Sequence, residues 1–200
     1  PIRRENLRRL GGAYWWVVML GAVFTLARFS EAFLVLRVQQ GGLPLAWTPL
    51  VLVLMNVVFA LGAYPLGKLA DSTRHTTLLA WGLVALIAAD ALLALSDRGA
   101  PAWLGIALWG LHMAMTQGLL ATMVADTAPA DLRGTAFGMF NLVSGVALLM
   151  ASGLAGLLWD RLGASATFGA GILFATLALA GVLVQSARHG RTPKPPATQG

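Results

Sequence analysis

An all-α membrane protein is the fold class the sequence predicts, with six transmembrane helices arranged as two inverted three-helix repeats. Three observations carry that prediction. Hydrophobic residues make up 58% of the 200 residues and charged residues 11%, with a mean hydropathy of +0.74. Soluble domains average roughly 25% charge, so this chain has too little polar surface to cover a water-soluble globule. Six apolar runs follow one another, each near the ~20 residues that cross a bilayer. A short polar hinge also occurs twice, as Tyr64-Pro-Leu-Gly-Lys-Leu-Ala-Asp71-Ser-Thr-Arg74-His75 and as Gly156-Leu-Leu-Trp-Asp160-Arg161-Leu-Gly163. Each hinge joins the second and third runs of a set of three. Counting spans puts the two hinges on opposite faces of the membrane, which is inverted topology.

In chain order, residues 1–12 form a basic segment (Arg3, Arg4, Arg8 and Arg9 against Glu5) suited to a membrane surface. Residues 13–185 hold the bundle, with spans at Ala13–Val38, Trp47–Leu66, Thr77–Leu95, Trp103–Val124, Thr135–Leu158 and Thr167–Gln185. The connections between them are rich in Gly, Pro, Asp and Ser, the residues of turns. Residues 186–200 are basic and Pro-rich, a composition that predicts disorder. With both termini inside, the inside holds Arg3, Arg4, Arg8, Arg9, Lys68, Arg74, Arg133, Arg188, Arg191 and Lys194, and the outside only Arg37, Arg98 and Arg161. That bias predicts cytoplasmic termini. Trp15, Trp16, Trp47, Trp103 and Trp159 fall near span ends, where an indole suits the interface. Residues 3–26 imitate a signal peptide, but the apolar run is too long and continues to Val38 without a cleavage site. No cysteine is present, which excludes disulfides, thiolate metal sites and cysteine nucleophiles. The net charge of +6 does not call for nucleic acid, because its placement follows the membrane. The chain opens on Pro1 rather than Met, and a piece of a longer protein is expected.

Gly67-Lys-Leu-Ala-Asp71 before a basic cluster resembles the loop motif of the major facilitator superfamily in its C-terminal copy. Val124-Ala-Asp126, Pro129, Arg133-Gly134 and Gly138 also look like that family's second half, and Ala27-Arg28-Phe29-Ser30-Glu31 does so more loosely. The likeness spans residues 13–185. Arg74 stands where the family has a glycine after the aspartate, and Thr76 replaces a usual basic position, so the charge pairing in the loop stays open. The resemblance implies the C-terminal half of a twelve-helix transporter and a missing N-terminal six-helix half as partner; low charge with abundant Ala, Leu and Gly suits a bacterial inner membrane. It also implies that Gly67, Asp71, Arg74, Asp126 and Arg133 form a gating cluster that breaks on opening. Physically, Asp71 ahead of the third helix would satisfy orphan amides near Gly134, with Arg74, His75 and Arg133 bridging to Asp71 and Asp126. The bland alternative is a solvated loop.

Ionisable groups at membrane depth are functional candidates by default. Arg28 and Glu31 lie three apart on one face of the first span, able to hold a ligand or proton between them or to lock helices as an ion pair. The resemblance places the first and fourth spans around the central cavity. His112, near the middle of the fourth span, has Thr116 one turn away. Gln117 lies about 140° round, so His112 and Gln117 do not both face a cavity squarely. His112 either takes a proton or stays neutral on a helix neighbour. Asp90 reads as a packing contact near the outer interface. Gly134, Gly138, Asn141, Gly145, Ser152 and Gly156 draw one stripe along the fifth span. That stripe reads as close helix packing, with Asn141 also a candidate for the pathway.

The function these features predict is secondary transport of a small molecule by alternating access, as proton-coupled efflux through Glu31 or His112. The alternatives are a membrane anchor or assembly subunit, and an intramembrane enzyme. Neither H-E-x-x-H nor G-x-S-x-G occurs, so no catalytic, metal or cofactor residue is assigned. An apolar cavity suits small amphipathic molecules, whereas an unpaired Arg28 favours an anion.

Overall fold

The computed structural model describes residues 4–189. The basic tail from Gly190 and residues 1–3 lie outside the described residues. A short helix α1 (Arg4–Arg9) precedes the bundle. The first span is two helices, α2 (Gly12–Ala27) and α3 (Ala32–Gln40). The others are α4 (Pro49–Ser72), α5 (His75–Leu95), α6 (Gly99–Thr127), α7 (Arg133–Leu162) and α8 (Ala164–His189). All six spans are long and apolar enough to cross a bilayer. The spans alternate in direction, so one end of the bundle carries the N-terminal start and the 73–74 and 128–132 connections. The other, distal end carries the 41–48, 96–98 and 163 connections.

The repeat is visible in how the second helix of each set begins. A proline near −60° in φ, Pro44 or Pro129, opens a single 3-10 turn, Leu45–Trp47 or Ala130–Leu132, which feeds α4 or α7. Proline lacks an N–H and pre-sets φ, so it suits a helix entrance. The first set, α2/α3–α4–α5, starts at the terminal end. The second, α6–α7–α8, starts at the distal end, which makes the two sets inverted.

Several expectations are corrected. The first span is not one helix, because it is broken at Arg28–Glu31. Ser30 Oγ accepts the Ala32 N–H at 3.3 Å, a local bond that competes with helix continuation and restarts the chain as α3. The polar stretch at Gly67, Lys68 and Asp71 is not a loop: it forms the last turns of α4, and the connection itself is Thr73-Arg74. Pro65 is carried inside that helix. The second hinge is likewise helical through Leu162, and the turn is Gly163 alone, at φ 86°. The final helix also runs past 186, so the expected tail begins in helix.

The most extensive packing is α5 on α6, followed by α4 on α6 and α5 on α8, so α6 is wedged between α4 and α5. Glycines set how close these helices come. A Cβ on Gly110 would overlap the Met55 carbonyl and approach Val58 Cβ to 3.2 Å, and one on Gly105 would stand 2.9 Å from Leu93 Cγ. Small residues allow such approach where lipid supplies no hydrophobic drive. The predicted stripe on α7 does not pack this way. Gly134, Gly138 and Gly145 have open space where a Cβ would go, and Gly156 just reaches Phe33 at 4.0 Å. Outward faces of α4 and α7 carry Val53, Val57, Leu61, Leu149 and Met150 exposed.

Arg37 is not an outside surface charge. It is buried, and its guanidinium donates from Nε to the Leu93 carbonyl at 2.6 Å and from Nη2 to the Ala94 carbonyl at 3.0 Å. Ser165 Oγ also donates to Ala94 O, at 2.7 Å. A cation thus sits on the orphan carbonyls at the C-terminus of α5 and ties α3, α5 and α8 together distally. Replacing Arg37 with Ala removes two charge-assisted bonds and is expected to lower stability by about 3 kcal/mol. Thermal unfolding in detergent checks this, and an unshifted transition would show that the clamp is idle. Trp159, near the distal end of α7, packs 5.5 Å from Phe33 and 6.4 Å from Phe168, ring to ring.

Candidate functional site

A cavity of about 220 Å³ lies where the first span breaks, between α2, α6 and α7. Each helix contributes the same spacing: Phe24, Thr25 and Arg28 from α2, Thr116, Gln117 and Leu120 from α6, Phe140, Asn141 and Ser144 from α7. Residues n, n+1 and n+4 share one helical face, so three helices turn matching faces to one space. His112 joins them from the turn below Thr116.

The wall is apolar at Phe24, Leu120 and Phe140 and polar elsewhere. Thr25 and Thr116 donate their hydroxyls back to the carbonyls of Gly21 and His112, at 2.8 and 2.9 Å. Their oxygens remain acceptors only. His112 is buried, stacks on Phe24 at 6.5 Å and donates Nδ1–H to the Gly82 carbonyl at 2.8 Å. That bond fixes the tautomer and leaves Nε2 as its free ring nitrogen. Ser144 Oγ is buried without a partner. Arg28 caps α2 through its backbone N–H, which reaches Phe24 O and Thr25 O, both at 3.2 Å. Its guanidinium has no carboxylate within ion-pair distance among the described residues. The cavity therefore presents one positive charge, amide groups at Gln117 and Asn141, and an unused hydroxyl. That chemistry suits a small molecule with an anionic end and an apolar body.

Of the pathway residues the sequence singled out, Arg28, His112, Thr116, Gln117 and Asn141 line this cavity, and Glu31 does not. The helix break explains the separation. Arg28 is the C-cap of α2 and Glu31 the N-cap of α3, with non-helical backbone between them, so the three-residue spacing no longer places them on one helical face. His112 and Gln117 do both reach the cavity, the first with a buried ring and the second half-buried. Thr25, Phe140 and Ser144 also line it and are not among the predicted pathway residues, although their offsets from Arg28 and Asn141 carry the signal.

At the terminal end, Gly67, Asp71 and His75 line a separate cavity of about 440 Å³ between α4, α5 and α6. Asp71, Arg74, Asp126 and Arg133 are all exposed. Among the described residues none of Arg74, His75 and Arg133 stands within ion-pair distance of Asp71 or Asp126. The ion pair found there joins Arg9 to Asp131 at 2.7 Å. With both side chains more than half exposed, that pair contributes about 0–1 kcal/mol.

A sequence model of the Major Facilitator Superfamily matches residues 2–152. The chain belongs to the major facilitator superfamily. An uncharacterized MFS-type transporter of Methanocaldococcus jannaschii is 29% identical over 162 residues, which cover 78% of this chain and 41% of that protein. The chain thus spans less than half the length of the relative it matches. No solved structure matches it. Six spans in two inverted sets agree with one half of a major facilitator fold.

Proposed function

We propose that this chain supplies the C-terminal half of a secondary active transporter that exports a small organic anion by alternating access in exchange for protons. The unpaired Arg28 guanidinium in a polar-ended cavity is the observation that carries the reading. A buried or half-buried cation without a partner is costly in a membrane protein unless a ligand completes it. The exposed apolar faces of α4 and α7 take the second six-helix half. The termini face the cytoplasm of a bacterial inner membrane, as the basic residues favour. His112, through Nε2, and Glu31, beside the break, are the pathway groups that carry protons. Asp71, Arg74, Asp126 and Arg133 act as the gate at that face, pairing in another state of the cycle.

The test uses full-length protein in proteoliposomes under an imposed pH gradient, with labelled benzoate, lactate, succinate and choline. Flux of at least one carboxylate, and none of choline, is expected. Flux of choline in preference to the acids would overturn the anion assignment. Correctly folded protein that moves none of the four would overturn the transport of simple carboxylates.

A further inference from the structure

Asp90 lies on α5, one turn before the end held by the Arg37 clamp, and is fully buried. Neither carboxyl oxygen has a hydrogen-bond partner among the described residues. The group faces α8 at Gly171, where a Cβ would overlap the carboxyl and come to 3.1 Å from the Phe29 ring. Gly171 is therefore the gap that admits the carboxyl, and Phe29 closes it. Phe29 is itself buried and packs 5.4 Å from Trp109 and 5.5 Å from Phe168, ring to ring. Trp109 Nε1 is a second buried polar group without a partner. Two polar groups thus sit unpaired in one aromatic nest, in the distal half of the bundle.

Among the described residues no charge nearby holds Asp90 ionised. On α3, the guanidinium of Arg37 is committed to Leu93 O and Ala94 O. On α6, the titratable group is His112, held on Gly82 O two turns further along α5. From Ala164 to Ser186, α8 has no charged residue. In the break, Arg28 lines the cavity and Glu31 begins α3. An isolated buried carboxylate is strongly disfavoured relative to the neutral acid.

Phe29 is the neighbour of Arg28 in the same four-residue break. One short non-helical segment therefore offers its arginine to the cavity and its phenylalanine to the acid. We propose that Asp90 is a proton-carrying site outside the cavity, uncovered to water when the 28–31 segment moves Phe29 aside. On uncovering, the carboxyl O–H bond breaks, the proton passes to water and the electron pair stays on the carboxylate. On closing, the carboxylate takes a proton back. The use of this proton in transport rests on the function proposed above, but the site itself does not.

Infrared spectroscopy of the full-length protein in lipid, transferred from water to deuterated buffer, tests this without a substrate. Wild type is expected to show a protonated-carboxyl band that Asp90→Asn lacks. Exchange of that O–H for deuterium is expected to run about tenfold faster or more in Phe29→Ala, because the local opening that admits water becomes easier. Phe29→Leu, which keeps more of the packing, is expected to fall between. A wild type without such a band overturns the neutral acid. A band whose exchange is the same in wild type and in every folded Phe29 variant overturns the gate. Should the band behave as expected while no carboxylate is transported, the transport reading falls and the proton site stands.

Discussion

Arg28→Gln is expected to raise the KM for the transported anion by about 10- to 100-fold while leaving the fold intact. A hydrogen bond to a charged partner contributes about 1.5–3 kcal/mol, and each 1.4 kcal/mol is a factor of ten in affinity. Glutamine keeps a polar end of moderate length but removes the charge, so the loss reports charge recognition. Stability should not move with it, because Arg28 caps α2 with its backbone N–H rather than its side chain. Arg28→Lys restores charge without the planar fork and should recover part of the loss. Initial-rate kinetics in proteoliposomes decide the matter, with thermal unfolding as the companion measurement. An unchanged KM in Arg28→Gln would sink the anion reading, and a collapse of stability would make Arg28 a structural residue.

Gly110→Ala should be among the most damaging single methyl groups in the bundle. Its Cβ would occupy the space of the Met55 carbonyl, with Val58 Cβ just beyond. Side chains swing out of a clash, but a helix backbone cannot, so α4 and α6 must separate along one of their main seams. Overpacking typically costs about 1–3 kcal/mol, and contact with rigid backbone places this substitution at or above about 3 kcal/mol. Gly181→Ala on α8 is the matched control, since open space awaits its Cβ and α8 is not a face assigned to the other half. Unfolding in detergent should show a large downward shift for the first and none for the second. Equal shifts would mean that the α4–α6 seam is not set by Gly110.

The spans were legible because hydropathy over some twenty residues reports burial in lipid whatever the side chains do individually. The cavity was partly legible too, since polar residues within apolar runs are few and Arg28, His112, Thr116, Gln117 and Asn141 stand out. The break at Arg28–Glu31 was not, because no glycine or proline marks it and a window average passes over four residues. Ser30 followed by an apolar run was the available sign, a side chain able to bond a nearby amide where a helix restarts. Arg37 misled for a different reason. Counting charges assigns a residue to a side of the membrane, but cannot tell a solvated guanidinium from one folded onto helix-end carbonyls. Asp90 was recognised as peripheral, yet its isolation depends on Gly171 and Phe29, which are distant in sequence and adjacent in space. The gating motif was found by its residues and misjudged in form, because Gly67-Lys-Leu-Ala-Asp71 reads as polar punctuation yet continues α4.

Among the described residues the three glycines at positive φ, Gly42, Gly99 and Gly163, fall in or beside the three distal connections, while neither the 73–74 nor the 128–132 link uses one. A positive φ at each of these turns admits few other residues, so the distal rim tolerates changes of sequence less well than the opposite rim. Epitope tags, fluorophore-bearing insertions and protease sites should accordingly be accepted in the Thr73-Arg74 link and rejected beside Gly163. The molecule can be opened for labelling from one side only, and reporters of its motion belong there.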